Sequence, residues 1–362
     1  MVIHSLSTEA FRNLHIPQVA LSPGINLLHG DNAQGKTNFL EAVYFCALGR
    51  PLRADHCREL IPLTGKESAH VRASFGDISP FTVDAYVTAQ QGKYIKSLSI
   101  DRVPIKNTRE LFGKVPIVSF SPEDMQLVKA GPAERRRFMD IEICQVSPVY
   151  YQELRSYYRV LRQRNHLLKA IQKGKSTADS LPIWDAQLVA HGARIMKSRE
   201  KFLATINEYA GDIHAQITQG KETLTLEYKP AIADAQQFMA TLERVQKRDI
   251  LQGTTSMGVH RDDVNFVIRG ISARSYGSQG QTRTAVLSVK LAEIMLMKAH
   301  MGTFPLLLLD DVFSELDVGR QRFLLEQVRE VQTLITCTGI EEMKIPGDCK
   351  IFQMNNGRID PQ

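Results

Sequence analysis

Eight residues near the N-terminus have the types and spacing of a phosphate-binding loop. They read Gly30-Asp31-Asn32-Ala33-Gln34-Gly35-Lys36-Thr37. Four residues separate the two glycines, and a lysine and a threonine follow the second glycine directly. Glycines let backbone N–H groups curve around a phosphate, the lysine reaches the β- and γ-phosphates, and the threonine hydroxyl is a Mg²⁺ ligand. The pattern, with Asn38 next to it, therefore predicts a site for ATP and Mg²⁺.

The segments on either side of this loop have the pattern of the strand and helix that such a loop joins. Residues 25–29 read as a buried strand, and residues 38–44 read as a helix. The positive end of that helix would face the bound phosphate. The alternative is a glycine-bearing turn between a strand and a helix that binds nothing, and the context favours the nucleotide site.

A second segment supplies the carboxylates that a nucleotide site needs. Four consecutive leucines end in Asp310 and Asp311, which predicts a buried parallel strand of the Walker B type. Asp310 would hold Mg²⁺ through its water shell, and Asp311 would position or deprotonate the attacking water. Taken alone, the pattern would fit an ordinary strand end equally well.

A turn of small and polar residues precedes that strand. It reads Gly277-Ser278-Gln279-Gly280-Gln281, and a helical pattern follows over residues 282–300. Ser278, Gly280 and Gln281 occupy the slots of the Ser-Gly-Gly-Gln signature of ABC-type ATPases, where such a turn donates hydrogen bonds to a phosphate on the partner subunit. The alternative is a turn that only caps its own helix. Asp311 and Thr338 stand where ABC transporters usually carry glutamate and a switch histidine, which argues against a transporter.

Length and composition are typical of a globular protein of two or three domains. The chain has 362 residues, of which 43% are hydrophobic and 23% charged. We find no apolar run of about eighteen residues that would span a membrane and no signal-peptide pattern at the N-terminus. The five cysteines form no Cys-x-x-Cys pair, which argues against a zinc site or a disulfide framework. These features predict a cytoplasmic protein.

Positive charge is concentrated in one segment. Between Lys129 and Lys175 there are eleven basic and four acidic residues, a balance of +7 in a chain whose net charge is +6. Such a stripe suits a polyanion such as nucleic acid, but a solvated helix face would fit the composition equally well. Arg155, Arg159 and Arg162 share one helix face and are the predicted DNA-facing row. Arg135, Arg136 and Arg137 precede apolar residues, so part of that cluster could pair with acids inside the fold.

The hydrophobic patterns predict an α/β fold with an inserted helical hairpin. Strand patterns cover residues 71–75, 81–87, 94–100 and 115–120, and a further strand and helix are predicted at 224–226 and 231–244. Between them, a coiled-coil-like rhythm predicts two long antiparallel helices. The predicted buried positions are Tyr151, Leu154, Tyr158, Leu161, Asn165 and Leu168 on the first helix and Leu188, Ile195, Phe202, Ile206, Tyr209 and Ile213 on the second. The predicted division is residues 1–120 with 250–362 for the ATPase domain and 121–249 for the helical domain.

Seven stretches spread over the whole chain form a joint pattern. They are Phe11-Arg12-Asn13, residues 30–38, Phe120-Ser121-Pro122-Glu123-Asp124, Arg135-Arg136-Arg137-Phe138-Met139-Asp140, His260-Arg261-Asp262-Asp263, residues 276–284 and residues 309–317. With these stretches, the chain resembles the RecF family of bacterial recombination mediators, which are related to SMC-type ATPase heads. Small departures are Val259, where the family usually has proline, and Pro51-Leu52 in the turn after the first helix.

The resemblance implies an ABC/SMC-type ATPase head that dimerises on ATP and binds single-stranded and gapped duplex DNA. It also implies work with RecO and RecR, which place RecA on gaps coated with SSB, and a slow, DNA-stimulated ATPase that acts as a timer. Carried onto this chain, Lys36, Thr37 and Asp310 bind nucleotide and metal and Asp311 assists hydrolysis. Ser278 and Gln281 act on the partner subunit, and Gln126 is a candidate for the glutamine that lines the lobe-connecting loop of ABC ATPases.

Three other functions compete with this one. A transporter ATPase subunit would need an integral-membrane partner and would not bind DNA. A structural SMC-like protein would need hundreds of residues of heptad repeats, and a P-loop kinase would have no use for the signature turn.

Overall fold

The structure is a computed structural model that describes residues 1–53, 56–62, 65–339 and 349–360. The chain forms two compact units, Met1–Asp124 with Lys290–Gln362 and Met125–Val289. The sequence-based division after residue 249 differs from this boundary, because the strand that follows residue 262 pairs with a strand of the second unit. The signature turn therefore belongs to the second unit.

The elements are numbered in chain order through both units. The strands are β1 (Ile3–Phe11), β2 (Leu14–Ala20), β3 (Ile25–His29), β4 (Ser68–Phe75), β5 (Phe81–Gln90), β6 (Lys93–Ile100), β7 (Val103–Pro104), β8 (Ile117–Phe120), β9 (Leu224–Lys229), β10 (Asp263–Ile268), β11 (Ile271–Ser272), β12 (Leu306–Asp310), β13 (Thr333–Cys337), β14 (Cys349–Asn355) and β15 (Arg358–Asp360). The helices are α1 (Lys36–Leu48), α2 (Gln126–Lys129), α3 (Pro132–Val146), α4 (Pro148–Gln172), α5 (Leu181–Thr218), α6 (Phe238–Gln252), α7 (Ala273–Tyr276), α8 (Gln279–Met301) and α9 (Val318–Gln327).

A mixed sheet in the first unit carries the two predicted nucleotide-binding strands. Its order is β15-β14-β3-β13-β12-β8, and all its pairings except that of β14 with β15 are parallel. Leu28, Thr336 and Asp310 lie in register on β3, β13 and β12. Since parallel strands end at the same sheet edge, this order brings the loop after β3 beside the carboxylates after β12.

The second sheet of this unit is antiparallel, with the order β2-β1-β4-β5-β6-β7. Alternate residues of β4 are buried, which is the pattern of a sheet with one face in the core. On β5, Val83, Ala85 and Val87 follow the same alternation, and Asp84 between them is buried as well. The predicted strands at 71–75, 81–87 and 94–100 are confirmed within β4, β5 and β6. The one predicted at 115–120 begins two residues later, as β8 of the mixed sheet.

Helix α1 contacts strands of both sheets. Nearly all of its residues are buried, because it has sheet on more than one side and so needs no polar face. This burial fixes the helix that follows the phosphate-binding loop, and with it the loop itself.

The second unit is mainly helical, and α4 and α5 form its predicted long hairpin. The contacts run in opposite directions along the two helices: Glu153 pairs with His191, whereas Arg164 pairs with Asp185. The helices are therefore antiparallel, as predicted. Strands β9, β10 and β11 form a small sheet in the same unit.

The predicted buried row on α4 is partly wrong. Leu161 and Leu168 are buried as predicted, but Tyr151, Leu154, Tyr158 and Asn165 are only half-buried. The residues one position before three of these, Tyr150, Tyr157 and Arg164, are buried in their place. The physical reason is Arg164, whose guanidinium is wholly buried between two aspartates and thus occupies a core position that the sequence pattern assigned to solvent. On α5, all the predicted positions except the half-buried Tyr209 are buried.

The remaining predicted elements are close to the observed ones. Strand β9 covers the predicted 224–226, and α8 covers 282–300. The helix predicted over 231–244 begins later, at Phe238, after a single 3₁₀ turn. Among the described residues, no helix is long and apolar enough to cross a membrane.

Candidate nucleotide site and signature turn

The loop between β3 and α1 has the curved backbone that a phosphate cradle needs. Gly30 and Gly35 have φ values of +146° and +106°, which side chains rarely tolerate. A Cβ atom at Gly30 would lie 2.5 Å from the carbonyl oxygen of Met354. No side chain of a described residue caps α1 at Gly35, so the N–H groups of its first turn point toward the place of an anion.

Side chains from other elements brace this loop. The amide of Asn13 donates to the carbonyl of Ala33 at 3.3 Å and accepts from Asn38 Nδ2 at 2.8 Å. The backbone N–H of Asn356 donates to Gln34 Oε1 at 2.6 Å. Gln34 and Asn38, predicted as nucleotide-binding residues, therefore also hold the loop in shape. Asp31, Asn32 and Ala33 form its exposed tip.

The ammonium group of Lys36 lies at the mouth of the loop. Its Nζ donates to the carbonyl oxygens of Gly30 and Asp31 at 2.6 and 2.7 Å, and the residue is only 8% exposed. The same charge lowers the pKa of His29, although burial is the larger cause. A cation held here with little contact with water is suited to meet the phosphates of a nucleotide.

Three hydroxyl and carboxylate groups meet at the predicted metal position. Thr37 Oγ1 and Thr336 Oγ1 both donate to Asp310 Oδ1, at 2.9 and 2.7 Å. Thr336 Oγ1 in turn accepts from the N–H of Asp311 at 3.0 Å. The hydroxyls thus fix the orientation of the Asp310 carboxylate.

This arrangement fits Mg²⁺ bound together with a nucleotide. Thr37 and Asp310 offer hard oxygen ligands, but the described residues contain no cluster of three or more His, Cys, Asp or Glu residues that could hold a metal alone. Mg²⁺ in nucleotide sites takes few protein ligands and completes its shell with phosphates and water. The other oxygen of Asp310 faces the guanidinium of Arg53 at 2.7 Å, and Arg53 also pairs with Glu123 at 3.0 Å.

Asp311 lies in the candidate site and has a strained backbone. It lines the same cleft as Lys36, Thr37 and Thr338. Its φ is +52°, an uncommon value for a residue other than glycine, and such strain is concentrated at functional sites. Burial, and then repulsion by Asp310, raises the pKa of its carboxyl group.

The signature turn is a reciprocal cap on α8. Ser278 Oγ accepts from the N–H of Gln281 at 3.1 Å, and Gln281 Oε1 accepts from the N–H of Ser278 at 3.0 Å. This is the capping box, in which two otherwise unpaired N–H groups are satisfied by side chains. The structure therefore supports the capping role that the sequence left open. At the N-terminus of α8 it places Ser278, which is exposed, and Gly280 and Gln281, which are half-buried.

Several motif residues with charged side chains serve the interior of the second unit. Arg135 is buried and pairs with Asp263 at 2.6 Å, and Arg136 donates to the carbonyl of Asp262 at 2.8 Å. Asp262 also accepts from the buried Arg199 at 2.8 Å. The basic stripe therefore includes arginines that hold the fold together and are not available to a ligand.

The three arginines predicted to face DNA are all exposed. Arg155, Arg159 and Arg162 lie on α4, and Arg164 on the same helix is buried. Gln126 is exposed at the start of α2. The role of each in binding stays a prediction.

Three residues of the site were missed from the sequence. Thr336 and Arg53 had no place in the predicted site, and Asn13 was only part of a stretch that matches the RecF family. Only Thr336 could have been found from the sequence. It lies near the end of β13, the strand between β3 and β12, so its hydroxyl is at the sheet edge where the nucleotide-binding residues meet. The contacts of Arg53 and Asn13 depend on loops that the pattern does not specify.

Comparisons with known proteins show which family the chain as a whole is similar to. The AAA domain family matches residues 5–251. The DNA replication and repair protein RecF of Lachnoclostridium phytofermentans is 43% identical over 364 residues, covering 99% of each chain.

Solved structures extend the similarity to the fold. A structure of the recombination mediator protein RecF in the RecFOR pathway, described as RecF-ATP, has a TM-score of 0.91 and 32% identity and covers 99% of this chain and 96% of that one. An SMC head bound to the C-terminal winged-helix domain of ScpA has a TM-score of 0.56 at 15% identity, covering 99% and 96%. The second similarity concerns the fold alone, and together they confirm the predicted ABC/SMC-type head.

Proposed function

The chain belongs to the RecF family of DNA replication and repair proteins, and from this premise we propose that it is an ATP-gated DNA-binding protein of recombinational repair. ATP would close two copies into a dimer, and the dimer would bind single-stranded and gapped duplex DNA. Slow hydrolysis would open the dimer again. The observation that carries the proposal is the convergence of Lys36, Thr37 and Asp310 in one cleft.

The chemistry of the cleft supports ATP and Mg²⁺ as the ligands. The N–H groups at the start of α1 and the ammonium of Lys36 would bind the phosphates. Thr37 directly, and Asp310 through water, would hold Mg²⁺, which when bound neutralises charge on the phosphates. Asp311 would hold or accept a proton of the attacking water. Its side chain is one methylene shorter than glutamate, which is consistent with the slow turnover of a timer.

The exposed signature turn supports a composite site in the dimer. Ser278, Gly280 and the first turn of α8 would face the nucleotide of the partner subunit, where N–H groups at a helix N-terminus favour a phosphate. Gln281 would keep that turn in shape through the capping box. In this arrangement the γ-phosphate is what completes the interface.

Family membership and the exposed arginines on α4 support the remaining partners. Contacts of Arg155, Arg159 and Arg162 with phosphates would give affinity that does not depend on sequence. RecO and RecR would act with the dimer to place RecA on gaps coated with SSB. Such a protein would work in the cytoplasm at the nucleoid.

The test measures dimerisation and DNA binding with and without ATP. Lys36→Met removes the phosphate-facing charge and keeps most of the side chain's length. We expect it to abolish ATP binding, the ATP-driven dimer seen by light scattering, and the ATP-dependent gel shift of gapped DNA.

Lys197→Met, at an exposed position on α5, is the matched control and should behave as wild type. A Lys36→Met protein that still dimerises on ATP would contradict the nucleotide site. A wild-type protein that binds ATP but never DNA would instead favour an ATPase subunit of a transporter.

A further inference from the structure

Both ends of the Gln281 side-chain amide are used in the structure. Its Oε1 accepts from the N–H of Ser278 at 3.0 Å, and its Nε2 donates to Glu222 Oε1 at 2.7 Å. Glu222 lies in the connection between α5 and β9, and its side chain is only 19% exposed. A carboxylate in this place therefore contacts the residue that closes the capping box of the signature turn.

Glu222 is itself held by the C-terminal end of α5. Thr218 Oγ1 donates its one hydrogen to the carbonyl of His214 at 2.7 Å, and the carbonyl of Glu222 lies 3.4 Å from the same hydroxyl. The ring of His214, which is wholly buried, lies with its Nε2 3.7 Å from Glu222 Oε2. The carboxylate thus has a fixed position from which to act on the turn.

The same histidine connects this end of α5 to α8. Ser288 Oγ donates to the carbonyl of Thr284 at 2.8 Å, so its one hydrogen is already used. It therefore accepts from His214 Nδ1, which lies at 3.2 Å. The hydrogen bond between His214 and Ser288 thus joins α5 to α8, and Gln281 on the same helix α8 binds the nearby Glu222.

A glutamine amide can close a capping box in only one of its two orientations. The oxygen must face the N–H of Ser278, since the NH₂ group in its place would oppose another donor. An ionised carboxylate accepts hydrogen bonds and does not donate them, so Glu222 selects the orientation in which Gln281 Nε2 faces it and Oε1 faces Ser278. The hydrogen bond is also charge-assisted, which strengthens the selection.

We propose that Glu222 is a positioning residue of the signature turn, which acts through Gln281 and sets the turn for the partner subunit's nucleotide. The inference rests on the proposed function, because it assumes that this turn completes a composite site in the ATP-driven dimer. It predicts that Glu222 affects dimerisation while leaving nucleotide binding by the monomer unchanged. Removing the carboxylate frees the amide to rotate and loosens the turn before the dimer forms.

The experiment compares Glu222→Ala with Glu222→Gln. A symmetric dimer contains the contact twice, so a loss of about threefold per site becomes about tenfold in the dimer dissociation constant. We expect that tenfold increase for Glu222→Ala in sedimentation velocity with ATP, with unchanged monomer affinity for a fluorescent ATP analogue. Glu222→Gln keeps an oxygen acceptor and should stay within about threefold of wild type. Equal loss in both variants would overturn the positioning role.

A second variant separates positioning from a merely structural effect. If Glu222 acts through Gln281, then Glu222→Ala should add little to the loss already caused by Gln281→Ala. Additive losses, or a loss that only follows a lowered melting temperature, would contradict the inference.

Ser278→Arg distinguishes the inference from its premise. This variant places bulk and charge at the turn and should abolish the ATP-driven dimer. If it dimerises like wild type, the composite site of the proposed function is wrong. If it fails to dimerise while Glu222→Ala dimerises normally, only the role of Glu222 is wrong.

Discussion

The hydroxyl of Thr37 donates to Asp310 Oδ1 across 2.9 Å, although 273 positions separate the two residues in the chain. One residue lies in the first turn of α1, after the phosphate-binding loop, and the other ends the strand β12. Their contact means that the two halves of the predicted metal site are assembled by the sheet order itself. Thr336, on the strand between them, donates to the same oxygen at 2.7 Å.

We expect Thr336→Val to weaken the metal site without unfolding the protein. The change removes one donor to Asp310 and leaves the N–H of Asp311 without its acceptor, at a cost of about 1–3 kcal/mol. The half-saturating Mg²⁺ concentration for ATP binding should therefore rise several-fold, as measured by titration with a fluorescent ATP analogue.

The matched control for this change is Thr333→Val. Thr333 is also wholly buried on β13, but its hydroxyl donates to the nearby carbonyl of Val331. An equal rise in Mg²⁺ requirement in both variants would show that Thr336 has no special place in the metal site.

The nucleotide site could be predicted from sequence because its parts are continuous segments with strict spacing. The loop at Gly30–Thr37 and the strand before Asp310 each carry their own pattern, and the sheet order then brings them together. The role of Thr336 was hidden because a threonine on a buried strand is common. The function of the turn at Ser278 and Gln281 is harder to predict, because the same short sequence pattern also occurs at helix N-termini that are only capped.

The two antiparallel helices could be predicted from the sequence, but the buried positions of α4 could not. Hydrophobic periodicity assumes that charged residues face solvent, and Arg164 breaks that assumption. Its Nε lies 2.5 Å from Asp185 and its Nη1 lies 2.8 Å from Asp249. Asp185 lies on α5 of the hairpin, but Asp249 belongs to α6, so the pattern of the hairpin alone could not show that Arg164 is buried between two carboxylates.

Arg164→Met should strongly destabilise the second unit. Methionine fills much of the space but leaves Asp185 and Asp249 buried without their cation, which typically costs about 3–5 kcal/mol. Burial already raises the pKa of Asp185. We expect the urea midpoint to fall accordingly. Arg162→Met, on the exposed side of the same helix, should change stability by less than about 0.5 kcal/mol. Similar midpoints for the two variants would contradict the buried network.

The stability of the second unit should fall on mild acidification because of His260. Its Nε2 donates to the carbonyl of Thr255 at 3.1 Å, so its Nδ1 accepts from the hydroxyl of Tyr157 at 2.8 Å, and the ring is neutral. Burial first, and then Arg261 and Arg136, lowers its pKa to about 4, against the opposing effects of the hydrogen bond to Thr255 and of Asp249.

The sign follows from proton binding. An unfolded histidine has a pKa near 6.5, so between about pH 6.5 and 4 the unfolded state binds more protons, and the unfolding free energy falls as pH falls, by up to about 3 kcal/mol. In His260→Gln the amide can replace both hydrogen bonds without titrating. Its urea midpoint should therefore lose less than that of wild type between pH 7 and pH 4.5. His166→Gln, at an exposed position on α4, should follow wild type. Parallel curves for all three proteins would argue against a buried neutral His260.

The exposed arginines of α4 give the sharpest test of DNA binding. Arg155, Arg159 and Arg162 lie three or four residues apart, and all three are exposed, whereas Arg135 and Arg164 of the same basic stripe are buried in ion pairs. Each phosphate contact contributes about 0.9 to the slope of log affinity against log salt on duplex DNA and about 0.7 on single strands. Changing all three residues to glutamate should make that slope less steep by about 2–3, and it should weaken binding to every sequence by at least about tenfold.

The control carries the same change of charge in another place. Lys197, Lys201 and Lys247 are also exposed in the second unit, and their replacement by glutamate should leave the salt slope near that of wild type. Both triple variants should still dimerise on ATP, since neither touches the nucleotide cleft or the signature turn. If the α4 variant binds gapped DNA with an unchanged salt slope, the DNA-binding surface lies elsewhere. If both variants lose affinity equally, only the general positive field of the unit attracts DNA, because a specific row of phosphate contacts would distinguish them.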